Sequence, residues 1–370
     1  MRVKISPIAG AVLAFVTAAS LAGCAANEAP TTAAPGGGSS APTAATLSGT
    51  LQGVGATSMK AAQEKWVAEF QTANPGVTVN YKPDGSGAGR EAFIAGAAQF
   101  AGSDRALNDE ELAAGGFAGC AADSTAWNLP VYISPIAVIF NVEGVSELTL
   151  DSATVAGIFA GKITNWNDPA ISATNDGVAL PDLPITAVHR SDDSGTTENF
   201  TDTLGTLAPE VWTWEADGEW PSDLGGEAAQ GTSGVVQAVT QGTGTIGYAD
   251  ASQAGSLGKA SLLVGDSAQQ PTAEAAAAIV DASPKVTGRP EHDLAVELDR
   301  SAEGVYPAVL VSYVIVCETY ADPAQAELVK AYVGYLTSAD GQADAAEAAG
   351  SAPLSDTLVT SVTASVDAIK

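Results

Sequence analysis

Three times along this chain a short β-patterned run leads into a turn of glycines and small hydroxyl residues, and a helix-patterned segment follows. Leu47–Leu51 precedes turns at Gly53 and Gly55, after which Met59, Ala62, Trp66 and Phe70 recur at helical spacing. Val77, Val79 and Tyr81 alternate as a strand before Asp84-Gly85-Ser86-Gly87-Ala88-Gly89, and Phe93, Ile94 and Ala97 mark the next helix. Ile185–His189 precedes Asp192-Asp193-Ser194-Gly195-Thr196 and a helix through Phe200 and Leu204. Strands alternating with helices predict an α/β fold with a largely parallel sheet. Later segments keep the pattern: an apolar helix over Val235–Val239, a buried central strand over Ala308–Val316, and a helix over Ala324–Leu336.

Each of these turns offers free backbone N–H groups at the positive end of a helix dipole, which makes it a candidate oxyanion site. The hydroxyls of Thr57, Ser86, Ser194 and Thr196 would add donors. The same residue types are ordinary helix caps, so a single turn carries little weight. Two further residues strengthen the reading. Arg190 ends its strand four residues before Ser194, with Asp192 placed to hold its guanidinium, and Asp104 closes the run Phe100-Ala101-Gly102-Ser103-Asp104. An aspartate suits an oxyanion site only if the ligand carries a proton that the carboxylate can accept. Protonated phosphate meets that condition, and fully ionised sulfate does not. The plainer alternative is a structural ion pair between Arg190 and Asp104.

The N-terminus reads as an export signal. Arg2 and Lys4 precede an apolar stretch from Ile5 to Leu21, and Leu21-Ala22-Gly23-Cys24 sets a cysteine after small residues, where a lipoprotein signal peptidase cuts. Residues 1–23 are expected to be removed and Cys24 to be lipidated, holding the protein at the outer face of the cell membrane. An ordinary signal peptide or a short membrane helix are the alternatives. Residues 24–46, rich in Ala, Pro, Thr, Gly and Ser, read as a flexible tether. The remainder is long for one core, and two lobes are the natural division.

Composition limits the partners. The 15 Lys and Arg, less Arg2 and Lys4, stand against 43 Asp and Glu, a formal charge of −30 after processing. Nucleic acid is excluded as a partner, and an anionic ligand must be held locally against the overall field. Beyond Cys24 there remain Cys120 and Cys317, expected to form a disulfide in an oxidising compartment, with two separate buried thiols as the alternative. Two cysteines and two histidines in no ligand spacing argue against a metal site.

Taken together, Gly53-Val54-Gly55-Ala56-Thr57, Asp84–Gly89, Phe100–Asp104 and Val188-His189-Arg190-Ser191-Asp192-Asp193-Ser194-Gly195-Thr196-Thr197 resemble the phosphate-binding protein of the phosphate-specific ABC transporter. Gly161–Pro169 is similar to another recurring segment of that family. The resemblance covers nearly all of residues 47–340. It implies a type II two-lobed periplasmic-binding-protein fold, with lobe I over 47–133 plus 312–370 and lobe II over 134–311. Crossovers are expected near Val131–Ala137 and Val311–Val316. It implies inorganic phosphate as ligand, ABC permease subunits as partners, and neither a reaction nor a cofactor. By position, it implies that Thr57, the Ser58 backbone, Ser86 and Asp104 bind from one lobe. Arg190 braced by Asp192, Ser194, the Gly195 N–H and Thr196 bind from the other. Ser58 stands where many relatives carry an aromatic residue, which leaves the packing over the ligand open.

Three rivals remain at this stage. A sulfate or molybdate receptor would need donors only, so Asp104 argues against it. A hydrolase using Ser194 and His189 lacks a Gly-x-Ser-x-Gly elbow at that position. A surface adhesin or phosphate sensor on the same fold is a possible second role.

Overall fold

The first strand runs through its own glycine turn: β1 spans Gly49–Gly55. In α1 (Lys60–Ala73) the buried positions are Ala62, Gln63, Trp66 and Phe70, the face expected from spacing plus one glutamine. β2 (Val77–Lys82) pairs parallel with β1. α2 (Ser86–Ile94) begins inside the glycine-rich segment, so Gly87 and Gly89 lie in its first turn and Ala97 lies beyond its end. β3 (Phe100–Ser103) pairs parallel with the other edge of β1. Glycine is needed where these layers meet. A Cβ on Gly55 would lie 1.9 Å from the Gly102 carbonyl oxygen, and one on Gly89 2.7 Å from that of Val54.

This computed structural model describes residues 47–370; the expected signal peptide, the tether and Cys24 lie outside the described residues. After β3 come α3 (Asp109–Ala114), which opens on an Asn108–Glu111 capping box, and β4 (Ala126–Asn141). Then follow β5 (Thr149–Asp151), α4 (Ser152–Phe159), α5 (Pro169–Ser172), β6 (Thr186–Arg190), α6 (Gly195–Leu207), β7 (Glu227–Ala229) and α7 (Gly231–Gln241). The chain continues through β8 (Thr245–Asp250), β9 (Gly258–Lys259), β10 (Ser261–Val264), β11 (Ser267–Gln269) and α8 (Ala273–Ala282). It ends with β12 (Val309–Cys317), α9 (Pro323–Leu336), α10 (Ala339–Ala349) and α11 (Asp356–Ala368). None of these helices is long and apolar enough to cross a membrane.

The main sheet runs β2-β1-β3-β12-β4-β8-β6-β7, with β9 also on β4, and β11-β10-β5 form a small separate sheet. Only its outer parts are parallel, β1 with β2 and β3, and β6 with β7 and β8. The centre is antiparallel, because β12 opposes both β3 and β4, and β4 opposes β8. The expectation of a largely parallel sheet therefore holds for the flanks and fails in the middle, where a strand running between lobes replaces a βαβ unit.

β4 changes partner midway. Ala126–Pro135 pair with β12, and Ile136–Asn141 pair with β8. The sheet thus has two halves, which are the two lobes, and the chain passes from the first to the second at Pro135–Ile136. The sequence places the return near Val311–Val316. That segment lies wholly beside β3 and the first part of β4. The chain is already back against the first half earlier: Leu294 N–H donates to Asn128 O (3.0 Å), and Asn128 Nδ2 donates to Asp293 Oδ1 (2.9 Å). An apolar β-branched run announces a buried strand without saying which half it joins.

Each half buries a tryptophan whose indole N–H is satisfied by a glycine carbonyl, Trp66 by Gly341 (2.6 Å) and Trp166 by Gly244 (2.9 Å). Cys120 and Cys317 are joined in a disulfide with their Cα atoms 5.4 Å apart. Two separate thiols are thereby ruled out.

Candidate functional site

The C-terminal ends of β1, β2, β3 and β6 deliver their turns to one place between the halves. Thr57 lies on the β1–α1 turn, Ser86 opens α2, Asp104 follows β3, and Ser194 caps α6 through its Oγ, which accepts from Thr197 N–H at 3.2 Å. Gly195 begins α6. A Cβ there would stand 2.7 Å from the Asp104 Cβ and 2.9 Å from the Ser86 Oγ, so glycine is what lets the helix N-terminus reach the opposite lobe.

Asp104 is the hub. It is 3% exposed, and its Oδ1 accepts the hydroxyls of Ser58 (2.6 Å) and Ser312 (2.8 Å) from its own lobe. Its Oδ2 accepts Thr196 Oγ1 (2.9 Å) from the other. Burial pushes its carboxyl above the ordinary value, against the opposing pull of Ser58, Ser312 and Thr196 and the charge of Arg190. Ser86 Oγ accepts the Asp104 N–H (3.2 Å), which leaves the Ser86 proton to donate elsewhere.

Arg190 ends β6 almost wholly buried. Its Nε and Nη2 grip Asp192 at 2.8 and 2.5 Å, the bidentate brace expected from their spacing. Burial disfavours the Asp192 carboxylate, but Arg190 and the Gly231 N–H (3.0 Å) outweigh it and hold the group below its ordinary value. Arg190 therefore keeps a paired counter-charge on one side while the rest of its guanidinium can face a ligand.

The nine residues named for the pocket are thus brought together. Ser58 directs its hydroxyl at Asp104, so its side chain tunes the carboxylate, while the group expected to meet a ligand is its backbone N–H. The described site also contains residues that spacing did not reveal. Thr57 Oγ1 meets Thr232 Oγ1 at 2.9 Å and accepts the Thr232 N–H at 3.1 Å. Gln253 Nε2 donates to the Thr57 and Ser58 carbonyls, both at 2.9 Å. Asn199 Nδ2 donates to Asp104 O (2.7 Å) and Gly195 O (2.8 Å), while its Oδ1 accepts from Arg300 (2.5 Å). Ser312 alone had a signal in the sequence: the single serine within the apolar run Val309–Cys317 demands a buried partner.

His189 stacks on Trp220, with ring centroids 4.7 Å apart, and its Nδ1 lies 2.9 Å from Arg190 O. The Ser194 hydroxyl is engaged in capping. No hydrogen bond joins these two among the described residues, so His189 and Ser194 do not form a nucleophile–base pair.

A family model described as "PBP superfamily domain" matches residues 40–340. The phosphate-binding protein PstS 3 of Mycobacterium leprae is 37% identical over 89% of this chain and 90% of its own length. PstS 3 of Mycobacterium tuberculosis (strain ATCC 25618 / H37Rv) is 36% identical over 86% of each chain. The chain belongs to the PstS-type phosphate-binding protein family. Among solved structures, a high-affinity periplasmic phosphate-binding protein (PfluDING) bound with phosphate matches with a TM-score of 0.71 at 24% identity, over 85% of this chain and 93% of that one. A putative phosphate ABC transporter substrate-binding protein from Clostridium perfringens, with bound phosphate, matches with a TM-score of 0.57 at 20% identity, over 81% and 98%. These likenesses agree with the two-lobed fold of PstS-type proteins traced above.

Proposed function

We propose that this protein captures inorganic phosphate outside the cell, tethered by lipid on Cys24, and delivers it to the permease subunits of an ABC importer. The observation that carries the ligand is the buried Asp104 carboxylate facing the α6 N-terminus, within the field of Arg190. Donors alone would serve any tetrahedral oxyanion, whereas a buried acceptor among them favours one that brings a proton. Thr57, the Ser58 N–H, Ser86 and Asp104 would hold phosphate from the first lobe. Arg190, Ser194, the Gly195 N–H and Thr196 would hold it from the second, with Asp192 keeping Arg190 in place. We divide the protein into lobe I over 47–133 plus 312–370 and lobe II over 134–311, with Asp293 and Leu294 of the latter hydrogen-bonded back to Asn128 of lobe I.

This reading makes the protein a receptor whose lobes close on a dehydrated anion, not a hydrolase. Calorimetric titration with phosphate, sulfate and arsenate, beside a phosphatase assay, tests it. Tight phosphate binding without turnover is expected, and sulfate binding equal to phosphate would refute the role of Asp104. For the anchor, Cys24→Ala should shift the protein from the detergent phase to the aqueous phase on partitioning. An unchanged partition would refute lipidation.

A further inference from the structure

Two arginines of the first lobe reach across to two acids of the second, beside the pocket but outside the proposed ligand set. Arg90, on α2, has a side chain only 5% exposed; its Nη1 donates to Ser103 Oγ (3.1 Å) and its Nε to Glu111 Oε1 (3.3 Å). Its Nη2 crosses to Asp193, 3.0 Å from Oδ2 and 3.3 Å from Oδ1. Arg105 holds the same Glu111 through Nη1 (2.6 Å) and Nη2 (3.0 Å), and its Nε crosses to Glu198 Oε2 at 2.8 Å. Glu111 thus fixes both guanidiniums in the first lobe while one arm of each is left for the second.

The two acids flank Ser194-Gly195-Thr196, one before the turn and one in the first turn of α6. The contact is built closely. A Cβ on Gly87 would lie 2.1 Å from Asp193 Oδ2, one on Gly218 2.1 Å from Asp193 Oδ1, and the Gly87 N–H lies 3.3 Å from Asp193 O. Gly87 and Gly218 are therefore glycines for the sake of this carboxylate.

We propose that Arg90–Asp193 and Arg105–Glu198, joined through Glu111, form the closure latch of the receptor, setting how long the closed form lasts and hence how fast ligand leaves. The proposal rests on the phosphate-binding reading for its kinetic test. Because none of the five side chains belongs to the ligand set, the latch acts on lifetime and leaves the choice between phosphate and sulfate to Asp104. The pairs are partly solvated, so each contributes modestly and is weakened by salt.

Isosteric amides test it: Asp193→Asn, Glu198→Gln and the double variant, with Glu91→Gln, an exposed acid on α2, as a control for net charge. Stopped-flow release should quicken roughly 3- to 10-fold in each single variant and about 30-fold in the double, with association and the phosphate-to-sulfate preference little changed. Release from the wild type should quicken with added salt, and release from the double variant should not. Spin labels at exposed Glu110 and Ser222, each replaced by Cys, report the closed fraction independently of binding. That fraction should fall in the double variant. If the wild type binds no phosphate, the ligand reading fails, and a closed fraction that still falls supports the latch. Release and closed fraction unchanged in the double variant, or a Glu91→Gln effect of equal size, would overturn it.

Discussion

Replacing Asp104 by Asn changes one oxygen into an N–H₂ group at constant shape, and the geometry around it dictates the outcome. The remaining carbonyl oxygen can keep the two hydroxyls now on Oδ1, from Ser58 at 2.6 Å and Ser312 at 2.8 Å. The new amide then stands at Oδ2, where Thr196 Oγ1, 2.9 Å away, must turn to accept. A phosphate proton that met an acceptor now meets a donor. Losing one hydrogen bond to a charged group costs about 1.5–3 kcal/mol, which is roughly a 10- to 150-fold loss of phosphate affinity. Sulfate gains over the same change, because a like charge at about 4 Å opposes it by about 4 kcal/mol at an effective dielectric constant near 20. The phosphate-to-sulfate preference should therefore fall at least about 100-fold. Since burial raises the Asp104 pKa, wild-type sulfate binding should strengthen as pH falls toward that value, where the protonated acid itself becomes a donor. In the Asn variant it should be flat. Calorimetry with both anions at pH 5.5 and pH 8 measures all three effects. A preference that survives Asp104→Asn would show that another group reads the proton and would refute the reasoning.

Two further outcomes follow from other parts of the molecule. Asp250 ends β8 at the crossing, where it accepts from Tyr132 Oη (3.1 Å) and from the Ser252 N–H (2.9 Å). Burial lifts its pKa to about 6 despite the hydrogen bonds of Ser252, Ser134 and Tyr132. The native state then holds this proton longer than the unfolded chain does. Stability should fall by about 3 kcal/mol as pH rises from about 4 to 6, and then level off. Asp250→Asn should remove that fall in urea titrations across the range, and an unchanged pH profile would refute it. Removing the Cys120–Cys317 link by replacing both with Ser frees a loop of 197 residues. The chain-entropy argument sets a ceiling of about 5 kcal/mol, and a drop of about 5–10 °C in Tm is expected in a melting scan. A Tm within 1 °C of the wild type would contradict it.

What the sequence made legible was local. The helices that follow the three glycine- and hydroxyl-rich segments and the Arg190–Asp192 brace are set by residues a few positions apart and stand where they were expected, although β1 extends through Gly55 and α2 begins at Ser86. Ser86 shows the limit: a glycine-rich stretch looked like a loop, yet it begins α2, because Gly89 is dictated by the carbonyl of Val54 pressing on the helix. The antiparallel centre was not legible, since β4 is buried on both sides and its change of partner at Ile136 leaves no mark in its hydrophobic pattern. Thr232, Gln253 and Asn199 were missed for the same reason. Each is an ordinary polar residue on its own helix or turn, and its meaning comes from a partner more than 90 positions away.

The disulfide also has a topological meaning. Cys120 precedes β4 and Cys317 ends β12, so the covalent ring they close contains the crossing strand, the whole second half-sheet and the return path. One cut of the backbone anywhere in that ring, including the exposed loops around Gly144, Gly177, Gly255 or Gly304, still leaves a single covalent molecule. The ends beside the cut stay tied through β4 and β12, which lie side by side. For a protein proposed to work outside the cell, among proteases, this is tolerance to a first scission without loss of either half.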